Sequence, residues 1–291
     1  MSLCSELLLK RYREIYHMKV LAGIVLFNAD AIRLQENLNS ILPQVDCVAV
    51  FDNGGGKIPP LDEKIVYLSQ MRDNVGIAKA LNVLTEYAEM NGYDWILTLD
   101  QDSVCPEGLI KAYKRYWDDN RIGIICPNIV DRNYGSMKYD QTREPIQEID
   151  ACITSASLMR VSAWRAVGGF WEELFIDLVD MDICWAMRAK GYKVMRVGEV
   201  SLYHEIGQSF IGYLFGKKVV VFNHPPFRVY YMTRNTIAVA RRHKCWMKGV
   251  RWNIKRALII NKYESDRLRK NWMIIKGVID GILFKIKPLS E

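Results

Sequence analysis

Two apolar runs, each ending in polar residues, constrain this chain more than any other feature. Residues 19–27 (KVLAGIVLF) and 95–99 (WILTL) are β-rich and apolar at successive positions, as in strands buried on both faces. The first ends at Asn28-Ala29-Asp30, before a helical pattern over 32–41, and the second runs into Asp100-Gln101-Asp102. A further strand over 46–51 (DCVAVF) stops at Asp52-Asn53 and three glycines. A short strand over 65–68 follows, then a helix over 75–90 with apolar residues three and four apart. Such alternation predicts an α/β fold with a doubly wound, mostly parallel sheet. Ligands of these sheets gather at the carboxyl ends of the strands. Phe27-Asn28, Asp52-Asn53 and Asp100–Asp102 therefore share one edge.

The middle of the chain, 123–175, has shorter strands (GIICPNIV, CITSASLMRV) separated by polar loops. A helix over 177–190 is headed by acids, a strand over 193–197 leads to Tyr203-His204, and the chain from Tyr230 is helical and increasingly basic. No stretch approaches the ~20 uninterrupted apolar residues of a membrane-spanning helix. The first 17 residues lack the apolar core and cleavage site of a signal peptide, and Met18 directly precedes the first strand. The 291 residues divide into an extension (1–17), a catalytic domain (18–240) and a basic amphipathic tail (241–291). The seven cysteines are scattered without a CxxC pair, which suits buried free thiols in a reducing cytosol.

The chemistry lies in the acids. Asp100 and Asp102, one residue apart after a buried strand, can face one hard cation, and Mg²⁺ or Mn²⁺ completes its sphere with phosphate oxygens and water. Asp177, Asp180 and Asp182 stand among apolar residues in FIDLVDMDICW. Capping explains one acid at a helix start; a carboxylate held among apolar groups beside a cleft suits a general base. Asn74-Val75-Gly76 opens a helix, where exposed N–H groups can meet a diphosphate or where Asn74 acts as an ordinary cap. His204, in YHEIG, is either structural or a third metal ligand, and Arg234, in YYMTRN, is either a surface residue or a phosphate contact.

Taken in order, these motifs resemble the inverting family 2 glycosyltransferases, which have a GT-A fold, and most of all the bacterial rhamnosyltransferases. The resemblance spans about residues 19–242. GIVLFN looks like the opening strand whose end contacts the base, bringing in Phe27 and Asn28. VFDNGG resembles the second strand, with Asp52 in the place of the acid on base or ribose and Asn53 beside it. DNVGIAKALN is similar to the helix near the diphosphate, which implicates Asn74, Gly76, Lys79 and Asn82. LDQDS matches the metal-binding segment, implying Asp100 and Gln101 on the donor and Asp102, with His204, on the metal. VGGFWEELFIDLVDMDICW is close to the segment carrying the catalytic acid, and register selects Asp180 although Val179 replaces the usual acid before it. YYMTRN adds Arg234 to the donor contacts, while the displaced Arg188 carries no implied role.

The resemblance implies transfer of a sugar, dTDP-rhamnose being the preferred donor, to a hydroxyl of a glycan or lipid-linked glycan in cell-surface polysaccharide synthesis. Formal charge is +7, yet the tail alone holds more than this excess and the first 240 residues are net acidic. Its basic, tryptophan-bearing helices suit either an anionic membrane surface or packing on the core. A cytoplasmic enzyme, peripheral on the inner face of the membrane, is the expectation. Nucleic acid is not an expected partner: a non-catalytic binding module leaves the strand-end acids without purpose. A sugar nucleotidyltransferase would carry a Gly/Arg/Lys-rich loop where this chain has Asn28-Ala29-Asp30.

Overall fold

The computed structural model describes residues 18–54, 63–70, 73–131, 144–204 and 209–289. β1 (Val20–Leu26) is buried along its whole length. β2 (Cys47–Asp52) and β4 (Trp95–Asp100) flank it in parallel, and β3 (Ile65–Gln70) extends the same side beyond β2. Helix α1 (Ala31–Ile41) starts where the Asp30 carboxylate accepts the N–H groups of Ile32 and Arg33, at 2.9 and 3.2 Å. Helix α2 (Ile77–Met90) crosses β1 at Gly23, where an added Cβ would stand 3.1 Å from Ile96 and 3.4 Å from Leu84. A side chain there would press on the Ile96 tip, so glycine lets the helix and the sheet approach closely.

The second half departs from the expected winding. After α3 (Leu109–Tyr113) come β5 (Ile122–Asp131), β6 (Ile146–Ile149), β7 (Ser157–Arg160) and α4 (Val161–Ala166). Then follow α5 (Val179–Ala189) and β8 (Lys193–His204), giving one sheet in the order β3-β2-β1-β4-β7-β5-β8-β6. β7 is antiparallel to both β4 and β5, so the sheet is mixed. The run 152–161 pairs only from Ser157 because its first half is tied elsewhere. The Thr98 hydroxyl reaches the carbonyl of Thr154 at 2.5 Å, and the Tyr113 hydroxyl donates to that of Ala156 at 2.8 Å. Residues 151–156 thus form a loop beside the end of β4.

A hairpin, β9 (Phe210–Leu214) and β10 (Lys217–Val221), precedes α6 (Pro226–Arg242), α7 (Trp246–Tyr263) and α8 (Arg267–Leu283). The domain boundary expected at residue 240 falls in the last turn of α6. Helix α8 lies on α6 through glycine: an added Cβ at Gly281 would meet the Arg234 carbonyl at 2.7 Å. Arg241 donates to the carbonyls of Gly281 (2.9 Å) and Phe284 (3.0 Å), and the Lys287 amine reaches that of Gly168 at 2.6 Å. One face of the tail is therefore committed to the catalytic core. Among the described residues no helix is long and apolar enough to cross a membrane.

Candidate active site

Register brings the polar strand ends together. Leu26 pairs with Asp52, and Val25 with Asp100. Gln101 then staples β1 to β4: its Oε1 accepts the Phe27 N–H at 2.8 Å and its Nε2 donates to the Phe27 carbonyl at 3.2 Å. Its carboxamide is thus engaged with backbone. Asn28, with φ +49°, is exposed just beyond. Asp52 is fully buried; one oxygen accepts the Gly54 N–H at 3.1 Å, and Oδ2 has no partner among the described residues. A buried carboxylate oxygen without a donor is costly, so this atom is open to a further hydrogen-bond donor.

Asp100 is half-buried, and its carbonyl accepts from Asn37 Nδ2 at 2.7 Å. Asp102 is more open and stands 3.7 Å from Arg33, a loose surface pairing. Among the described residues no three His, Cys, Asp or Glu side chains gather as a metal cluster. His204 closes β8 opposite Asp131, and its side chain lies outside the described residues. Mg²⁺ and Mn²⁺ need few protein ligands when phosphate and water complete the sphere. An accessible, weakly paired Asp102 beside Asp100 fits that demand.

The segment around α2 does other work than expected from Gly76 and Asn82. Asn53 Nδ2 donates to Asn74 Oδ1 at 2.9 Å, its own Oδ1 accepts the Val75 N–H at 2.8 Å, and Asn74 accepts the Gly76 N–H at 2.8 Å. Gly76 itself, at φ +87°, caps the helix and makes room for protein, not phosphate. An added Cβ would stand 2.7 Å from the Phe175 carbonyl, which accepts the Ile77 N–H at 2.7 Å. Asn82 spends all four bonding positions internally. It donates to the Phe170 carbonyl and Glu172, and accepts from the Phe170 N–H and Trp164 Nε1. Lys79 is exposed in the first turn of α2.

The acids after Phe175 fall into three environments. Phe175, Asp177 and Leu178 all have positive φ (66°, 64° and 63°), an unfavourable backbone for residues with a side chain. The carboxamide of Asn235 holds this turn, donating to the carbonyls of Leu174 (2.9 Å), Ile176 (2.7 Å) and Asp177 (3.0 Å). Arg234, expected at the donor, is buried: it donates to Glu173 (2.7 Å) and Leu174 (3.1 Å) carbonyls while stacking on Tyr231 and Phe284. Asp177 is paired with Arg228 at 3.0 Å, and Asp182 is fully buried against Arg242 and His243. Asp180 has no cationic partner among the described residues. It heads α5, accepts the Met181 N–H at 2.8 Å, and lines a small cavity with Thr98, Cys152 and Thr154, next to the end of β4. Burial, aided by the nearby Cys152 and Asp177, pushes its carboxyl up to about 6.

Sequence reasoning left out Arg228 and read Asn235 only with Arg234 as a phosphate contact; the partners of Arg228 and Asn235 lie 51 or more residues away. The adjacency of Arg234 and Asn235 in a helix turned towards the core was the available signal.

A mixed sheet with polar residues at the end of β1, acids at the ends of β2 and β4, and a separate carboxylate beyond β7 defines a sugar-nucleotide transferase of the GT-A type. Residues 22–175 match glycosyl transferase family 2, and the chain belongs to that family: it is an inverting glycosyltransferase that uses a nucleotide-sugar donor. It is 28% identical over 284 residues to the dTDP-rhamnosyl transferase RfbF of Shigella flexneri, covering 90% of this chain and 95% of that one. Its fold is similar to S. aureus TarS (residues 1–349) in complex with UDP, with TM-score 0.54, 15% identity, and coverage of 92% and 73% of the two chains. It is also similar to GalNAc-T7 with UDP, GalNAc and Mn²⁺, with TM-score 0.59, 12% identity, and coverage of 92% and 58%. Membership excludes the nucleotidyltransferase and the non-catalytic module.

The environments of the acids separate two substitutions. Asp182→Asn strands the buried Arg242 charge and should cost about 3–5 kcal/mol of stability, read as a lower urea midpoint. Asp180→Asn removes a carboxylate that burial disfavours, so its midpoint at pH 7.5 should equal or exceed that of the wild type.

Proposed function

We propose that the chain transfers rhamnose from dTDP-rhamnose to a hydroxyl of a glycan or lipid-linked glycan in cell-surface polysaccharide synthesis, with Asp180 as the general base. One observation carries this reading: Asp180 is the acid of its segment that lacks a cation and holds a raised pKa beside the strand ends. The relative named as a dTDP-rhamnosyl transferase supports the sugar.

In this mechanism the donor's base meets Asp52 Oδ2, and Phe27, Asn28 and Asn53 bound the nucleoside. Asp100 holds the ribose, and Lys79, free at the start of α2, meets the diphosphate. Asp102, with His204 as a further ligand, would hold Mg²⁺ or Mn²⁺, whose positive charge would stabilise the departing diphosphate. Asn74, Gly76, Gln101, Asn82 and Arg234 act from behind, fixing the loops that present these groups. Asp180 takes the proton of the acceptor hydroxyl as its oxygen bonds to the anomeric carbon, opposite the leaving group. The bond to the diphosphate breaks with its electron pair moving to phosphate oxygen, through an oxocarbenium-like state. Attack from the far face inverts the anomeric centre.

The outer face of the tail supports a peripheral place on the cytoplasmic membrane surface. Leu268, Trp272, Ile275, Ile279 and Ile282 are exposed along α8 at alternating steps of four and three. The exposed Arg267, Arg269 and Lys276 flank them. That charge disfavours a second copy of the same helix and suits anionic lipid.

Two measurements test these readings. Asp180→Asn should lower kcat for transfer by about 10²–10⁴-fold, and wild-type kcat/KM should rise with pH through an apparent pKa of about 6, because the base works only when ionised. Unchanged transfer, or a profile flat from pH 5 to 7, removes Asp180 from the role. The protein should float with anionic vesicles, and the triple variant Trp272→Ser, Ile275→Ser, Ile279→Ser should stay in the soluble fraction. Equal recovery of both proteins there defeats membrane contact.

A further inference from the structure

Between α6, α7 and the β9–β10 hairpin lies a cavity of about 820 Å³, within the usual range for small-molecule sites. Val220, Phe222, Met232, Trp252 and Ile259 make its walls apolar. Leu178 and Met181 also line it, and these two residues bracket Val179 and Asp180. The cavity therefore adjoins the turn that carries the base, on the side given by α6 and α7 and away from the ends of β1 and β2.

The charges of its lining are one-sided. Arg256 points into the cavity with hydrogen bonds only to neutral groups, Thr233 Oγ1 at 3.4 Å and Asn253 Oδ1. No carboxylate pairs with it among the described residues. Burial lowers its pKa to about 10, which leaves it charged at neutral pH. Lys218 and Lys255 are exposed at the rim. The carboxylate of the lining, Glu264, is already satisfied by the buried Lys270 at 2.8 Å. His224 is held neutral, its pKa lowered to about 4 by burial and by Arg228. A withdrawn guanidinium with no carboxylate in contact, and with only Asp177 and Glu264 at longer range, each already paired with another cation, in a largely apolar chamber, calls for an anion attached to something apolar.

We propose that this cavity holds the anchor of the acceptor, a long-chain alkyl or prenyl phosphate, with its phosphate on Arg256, Lys218 and Lys255 and its chain along Phe222, Met232 and Trp252. The assignment rests on Asp180 as base, because the sugar attached to that phosphate would extend past Leu178 and Met181 towards it. A free nucleotide or sugar would leave the apolar walls without a partner. A neutral lipid would leave Arg256 without one.

Farnesyl diphosphate, farnesol and inorganic pyrophosphate separate these ligands by isothermal titration on the full chain. Farnesyl diphosphate should bind at least about tenfold more tightly than either of the others, a gap of about 1.4 kcal/mol. Arg256→Gln should weaken its binding by about tenfold or more, as loss of a charge-assisted contact does. The double variant Lys218→Gln, Lys255→Gln alters only exposed side chains and should weaken binding several-fold with an unchanged melting temperature. Equal binding of pyrophosphate, equal binding of farnesol, or undiminished binding by all variants overturns the assignment. Titrating Asp180→Asn tells the two readings apart. Retained binding with lost transfer supports both. Retained binding with full transfer removes the base, and with it the acceptor role of the cavity, leaving a lipid-phosphate site only, whereas absent binding in wild-type protein with a pH-dependent Asp180 overturns the cavity alone.

Discussion

The structure depends on one carboxamide. Asn235 on α6 offers its N–H groups to three successive regions of a turn whose backbone is otherwise unfavourable, and that turn connects nearly everything the enzyme needs. Through the Phe175 carbonyl it joins the first turn of α2, on the donor side. Through Leu178 it opens α5 and sets where Asp180 stands. The strain is tolerable because buried hydrogen bonds over-determine the conformation. Arg234 reinforces the same segment from the neighbouring position, so a pair that looks like a phosphate contact in one dimension is a clamp in three.

The acids illustrate how environment, not identity, divides labour. Asp177 is paired with Arg228 and Asp182 is sealed with Arg242 and His243, so the oxygens of both are engaged within the protein. Asp52 is held dry with one oxygen unoffered, which suits recognition. Asp102 is open to water and weakly paired, which suits a cation beneath phosphate. Asp180 has no cation beside it among the described residues, and burial, aided by the nearby Cys152 and Asp177, raises its proton affinity towards neutrality.

Much of this was legible because it is local. The ends of β1, β2 and β4 show as the points where apolar runs stop, and parallel register carries them to one edge. Asp180 stood out as a candidate through its place in FIDLVDMD. What was not legible depends on contacts distant in the chain. Gly76 reads as a phosphate-loop glycine until Phe175 occupies its open side, and Asn82 until Phe170, 88 residues on, takes up its carboxamide. The run 152–161 reads as one strand, and only the Thr98 and Tyr113 hydroxyls pull its first half out of the ladder. The tail's amphipathic pattern does not reveal that Gly277 and Gly281 seat α8 on α6, leaving the opposite stripe outward.

The most direct test of the account is a ¹³C carboxyl NMR titration of Asp180 in the wild-type protein and in Asn235→Ala. The account predicts an apparent pKa of about 6 in the wild type, moving down towards the ordinary carboxylate range once the clamp is gone and the turn admits water. An ordinary value in the wild type, or a raised value indifferent to Asn235, would contradict it.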